Sequence, residues 1–105
     1  MAWVWLAVAG AAEIAWMIGL KFSDGFTRLG WSAATLAAMA VSIAFLSFAL
    51  RVIPMGTAYA IWTGIGAAGI ALIGIFFFGE PRTAFRLGCI ALIVAGIIGL
   101  KMASP

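Results

Sequence analysis

The side chain best placed to do chemistry is the most isolated one. Glu13 is the only charged residue among residues 1–20, set in the run A-G-A-A-E-I-A-W over 9–16. An apolar helix through that run puts Glu13 near the middle of a membrane crossing. A carboxylate there costs several kcal/mol unless it is paired or faces water. One chain supplies no counter-charge within the membrane, so the remedies are protonation, a cationic ligand, or the two in alternation. Proton and cation competing for one carboxylate is the minimum chemistry of a proton-coupled antiporter. The plainer alternative is a protonated Glu13 bonded to a neighbouring helix.

Helical spacing nominates the residues that share this site. Gly10, three before the acid, leaves space. Trp16, three after, offers a ring face to a cation, or else is lipid-facing bulk. A second helix carries the hydroxyls of Ser42 and Ser47, which alone are weak signals because serine often bonds its own helix backbone. A third opens with G-T-A-Y-A-I-W over 56–62. Tyr59 and Trp62 share a face there, with a hydroxyl, an indole N–H and two rings that could bond a carboxylate and wall a cation pocket, or simply pack. Gly64, Gly66 and Gly69 form GIGAAG. This spells the dinucleotide fingerprint, but that motif needs a preceding strand and an exposed helix start. Inside an apolar helix the glycines favour close packing or a bend.

Other chemistries find no footing. There is no His, one Cys and no cluster of acids, so no catalytic residue, metal site or cofactor is expected. Six Lys and Arg against three Asp and Glu give a net charge of +3 and a pI near 9.8. All six lie at or near helix ends, and nucleic acid is not the expected partner.

The elements that position Glu13 follow from where charge is missing. The 105 residues are 67% hydrophobic and 9% charged, with a mean hydropathy of +1.26. A soluble domain would carry about 25% charged residues, and disorder needs the reverse composition. Residues 29–50, 52–79 and 87–100 hold no charge. A crossing takes about 20 apolar residues. The reading is therefore one all-α transmembrane domain over 1–105, with helices at 2–20, 31–50, 57–78 and 84–103. Closed barrels need an alternating pattern that is absent. Pro81 is expected in the first turn of the fourth helix, and Ser23, Asp24 and Gly25 in a turn after the first. Residues 1–20 lack the basic start of a signal peptide and are expected to stay.

With four crossings, one membrane face carries Arg51 and Lys101 and the other Lys21, Arg28, Arg82 and Arg86. Two against four is a weak orienting bias, so insertion both ways up is expected. Gly88, Cys89 and Gly96 give the fourth helix small residues of the kind that let helices associate in lipid. Large transporters place their site between inverted repeats. A chain without repeats reaches the same symmetry by pairing two copies in opposite orientation, which would bring two Glu13 residues together.

These features resemble the small multidrug resistance family, and within it the guanidinium-exporting branch. The carriers are residues 9–16, L-K-F-S-D-G-F-T-R-L over 20–29, P-M-G-T-A-Y-A-I-W-T-G-I-G-A over 54–67, and A-G-I-I-G-L-K over 95–101. The resemblance spans essentially the whole chain. It implies an antiparallel, dual-topology homodimer in the bacterial inner membrane, with paired Glu13 carboxylates binding protons or substrate. It implies Trp16, Ser42, Tyr59 and Trp62 along the site, Gly10 beside it, and a third helix bending at its glycines. It also implies a lateral portal on the second helix, where this chain has Ala38, Met39, Ala40 and Ile43, and a seam on the fourth, where Cys89 stands seven before Gly96.

The function expected is export of guanidinium or small substituted guanidinium cations, with two protons exchanged per cation. The alternative is a broader exporter of quaternary ammonium compounds. A dual-topology ion channel fits less well, since a mid-membrane acid suits an anion path poorly. A membrane assembly factor would not need Glu13.

Overall fold

The structure is a computed structural model that describes residues 1–103. It consists of four helices, α1 (Ala2–Phe22), α2 (Leu29–Ala49), α3 (Met55–Phe77) and α4 (Ala84–Ala103), with no strand among the described residues. They hold 21, 21, 23 and 20 residues. At 1.5 Å per residue each is about 30–35 Å long, enough to cross a hydrocarbon core. All four are apolar enough to do so.

Helix ends depart from the expected boundaries for local reasons. α1 runs two residues further, because Ser23 closes it: its N–H reaches Gly19 O and its hydroxyl donates to Leu20 O at 2.7 Å. The turn then passes through Asp24, Gly25 and Phe26, all with positive φ (50°, 69°, 66°). The Ser23 hydroxyl steadies it by accepting the Phe26 N–H. α2 starts at Leu29 rather than 31. α3 starts at Met55, directly after Pro54, rather than at Thr57; a residue at a helix start has no N–H bond to lose. Pro81 lies in the loop, outside α4. The first turn of α4 is capped instead by Thr83, whose hydroxyl accepts the Arg86 N–H at 3.2 Å.

α1 is the centre of the arrangement. It packs against α2 and α3, α3 carries α4, and α2 barely touches α3. The molecule measures 43 × 35 × 17 Å. The short third dimension and the contact order α2, α1, α3, α4 set the helices side by side. The chain is a layer, not an enclosed bundle.

The α1–α3 pair sets the site. At one end Ala2 and Leu6 pack with Ala58 and Ile61 in the main buried cluster. At the middle Gly10 receives Ile65, and Gly69 receives Ile14. Towards Lys21 and Phe78 the helices leave a cavity of about 260 Å³. The two helices form a wedge with its larger cavity towards Lys21 and Phe78; a smaller one of about 160 Å³ lies among Trp3, Leu6, Ile61, Ile65 and Ile97 at the other end.

Candidate functional site

Glu13 is twelfth of the 21 residues of α1. Its side chain crosses to α3 and lies over Gly66, where an added Cβ would stand 2.5 Å from Glu13 Cγ. The carboxylate lines a cavity of about 230 Å³ with Met17, Thr63, Gly66, Ala67 and Ile70. That lining contains no Lys or Arg. Glu13 Oε2 is buried and has no hydrogen-bond partner, an arrangement that stays costly until a proton or cation arrives.

Trp16, Ser42 and Trp62 meet in a separate cavity of about 70 Å³, with Met39 and Ile43 of α2. A two-bond chain ties three helices there. Trp62 Nε1–H donates to Ser42 Oγ at 2.9 Å, and Ser42 Oγ–H donates to Ala9 O at 2.8 Å. Ala9 is one turn before Glu13 on α1, and Trp62 one turn before Gly66 on α3. The chain therefore holds both neighbours of the carboxylate in register. Tyr59 packs against Trp62 in a tilted pair with ring centroids 5.6 Å apart. It opens instead onto an α2–α3 groove of about 470 Å³ lined by Leu46, Leu50, Met55 and Gly56.

Several expected roles change. Ser42 and the Trp62 indole N–H do not reach the carboxylate; they bond each other and α1. Gly10 leaves no free space, since Ile65 fills it: an added Cβ would stand 2.6 Å from Ile65 Cγ2. The glycine that makes room for Glu13 is Gly66. α3 is helical throughout 55–77, so in this conformation its glycines admit neighbours: Gly64 takes Ile97 of α4, Gly66 takes Glu13 and Gly69 takes Ile14. Thr63 was missed from sequence because a lone threonine in an apolar helix carries no signal until α1 is placed beside it.

Ser42→Ala would break both bonds of the chain. Interhelical side-chain bonds within membranes are each worth about 0.6–1.7 kcal/mol. Unfolding in mixed micelles should show a loss of about 1–3 kcal/mol, and the Trp62 emission should shift. Unchanged stability and emission would mean that the chain does not hold the helices together.

A family model described as Small Multidrug Resistance protein matches residues 1–93. The chain belongs to the small multidrug resistance family. Its relatives are similar from end to end. Proteins named Guanidinium exporter from Citrobacter freundii and Proteus vulgaris are 57% identical over 104 residues, covering 99% of this chain and 99–100% of theirs. One of the same name from Yersinia pestis is 54% identical over the same length. Four spanning helices and this family make the chain a multi-pass protein of the bacterial inner membrane.

In this small multidrug resistance protein α4 stands at the edge of the layer, with Ile90 its buried residue. Added Cβ atoms at Gly88, Gly96 or Gly99 would meet nothing within 4 Å, and Cys89 is exposed. The proposed seam residues thus lie open in the single chain, unlike the filled glycines of α3.

Proposed function

We propose that the protein exports guanidinium or small substituted guanidinium cations in exchange for protons, by alternating access in an antiparallel pair of copies. The observation that carries this is Glu13 Oε2, buried at mid-span without a partner, in a cavity whose lining holds no cation. The names of the full-length relatives agree with a guanidinium substrate. So does the chemistry: a planar array of N–H donors suits two carboxylates through paired charge-assisted bonds.

A layer 17 Å thick leaves this cavity open on one side, and a second copy closes it. The open small residues of α4 and the two-against-four split of Lys and Arg fit a copy inserted the other way up. Two Glu13 residues then share one water-poor space. A cation that bridges both displaces two protons. Trp16 and Trp62 wall the smaller cavity and Tyr59 the α2–α3 groove, Ser42 and Gly10 hold the helices that carry the carboxylate, and the run from Gly64 to Gly69 supplies the close contacts that must shift when the side facing water changes.

Transport currents from reconstituted protein on a solid-supported membrane test this. Guanidinium should drive currents whose half-saturating concentration rises as pH falls, with a reversal potential fitting two protons per cation. One-for-one, electroneutral exchange would refute the shared-carboxylate mechanism. The apolar α2–α3 groove beside Tyr59 favours the second reading, export of hydrophobic quaternary ammonium cations, which offer no N–H donors. Larger currents with tetraalkylammonium than with guanidinium would select it.

A further inference from the structure

The cavity that holds Glu13 does not stop at Ile70. Met17 and Ile70 also line the larger cavity, which continues between α1 and α3 to Lys21, Phe78 and Glu80. A carboxylate therefore stands towards each end of one groove, Glu13 at mid-span and Glu80 at the membrane surface. Gly66 beneath the first and Gly74 beneath the second are eight residues apart, about 12 Å along the helix.

Glu80 is placed there by design of the chain around it. Gly79 takes φ +68°, and the Glu80 N–H returns to Gly74 O at 3.0 Å. This folds the backbone over the last turn of α3. Gly74 gives the carboxylate its seat, since an added Cβ would lie 2.5 Å from both Cδ and Oε2 of Glu80. The acid thus rests on the carbonyl end of a helix, the negative end of its dipole. Carboxylate and carbonyls together favour a cation, and here that cation is the Arg86 guanidinium. It donates to Glu80 Oε1 through Nη2 at 2.5 Å, while its Nε is buried without a partner. The grip is one-armed, not the two-bond fork a guanidinium can form.

We propose that Glu80 is an outer binding site for a guanidinium-like cation at the mouth of the α1–α3 groove, with Arg86 as a tethered occupant that the incoming cation displaces. This rests on the reading of Glu13 as the cation-exchanging carboxylate and adds a stop before it. Lys21 lines the same mouth, its ammonium 5.1 Å from the Phe78 ring centre. Its positive charge, with that of the displaced Arg86, keeps the bound cation from lingering and favours onward movement.

The test uses full-length protein in liposomes and guanidinium currents from wild type, Glu80→Gln, Arg86→Gln and the double variant. Glu80→Gln should raise the half-saturating guanidinium concentration roughly two- to fivefold, the range of a partly exposed ion pair, with little change in maximal current. Arg86→Gln should lower it by a similar factor, because the tethered competitor is gone. The double variant should match Glu80→Gln, and Glu80→Asp should retain most of the wild-type affinity. High ionic strength should shrink the difference between wild type and Glu80→Gln. Shifts of Glu80→Gln and Arg86→Gln in the same direction would mark a purely structural pair and overturn the proposal, as would no shift in Glu80→Gln. Wild-type protein that gives no guanidinium current would overturn the Glu13 reading and this one with it, a result distinct from wild-type transport unaffected by position 80.

Discussion

Glu13→Gln abolishes guanidinium-driven transport while the protein still inserts, folds and pairs. The amide keeps the volume of the acid, so the seat over Gly66 and the contact with α3 survive. What disappears is the charge. A hydrogen bond to a charged group is worth about 1.5–3 kcal/mol, and two lost from one bound cation lower affinity roughly a hundredfold or more. The amide also cannot release a proton. Adding guanidinium to weakly buffered protein should acidify the solution for wild type and leave it unchanged for the variant. Circular dichroism and pairing by crosslinking should match wild type. Proton release or coupled transport in Glu13→Gln would end the antiporter reading, because no other acid lies within any of the four helices.

Gly66→Ala should reduce turnover tenfold or more, about 1.4 kcal/mol in the barrier, despite being a change that ordinarily strengthens a helix. Alanine is better than glycine in a helix interior by about 1 kcal/mol, so weakened folding is not the expected cause. The new methyl would stand 2.5 Å from Glu13 Cγ and 3.5 Å from its Cβ. Glu13 must then turn away from α3, and its carboxylate leaves the cavity it shares with Thr63 and Ile70. Gly30→Ala in α2 is the matched control, since the same methyl there meets nothing within 4 Å of its own chain. Thermal stability should hold or rise in Gly66→Ala while transport falls. Wild-type turnover in this variant would show that the seat of Glu13 over α3 is not the working position of the carboxylate.

Much of this architecture is legible in one dimension because lipid imposes a simple rule: charge marks the ends. The uncharged runs 29–50, 52–79 and 87–100 locate α2, α3 and α4 to within a few residues, and Glu13 stands out because it breaks that rule in α1. Contacts between helices are less legible. The hydroxyl of Ser42 has many acceptors within reach in principle, and only the placement of α1 against α2 shows that Ala9 O takes it. Gly10 and Gly66 look alike in the sequence, yet one is filled by Ile65 and the other by Glu13, a difference set by the rotation of α1 against α3. Glu80 reads as an ordinary loop acid because its meaning depends on the backbone turn at Gly79.

The groove that runs from Glu13 between α1 and α3 leads towards the membrane face that carries Lys21 and Glu80. Each chain, once inserted, has chosen the compartment its mouth serves. If the working unit needs one mouth on either side, the number of working units is set by whichever orientation is scarcer, and surplus chains of the other orientation contribute nothing. Substitutions in loops far from Glu13, by adding or removing a single Lys or Arg, would then act as a dosage control. They would alter how much transport a cell obtains from the same amount of protein without touching affinity, coupling or stability.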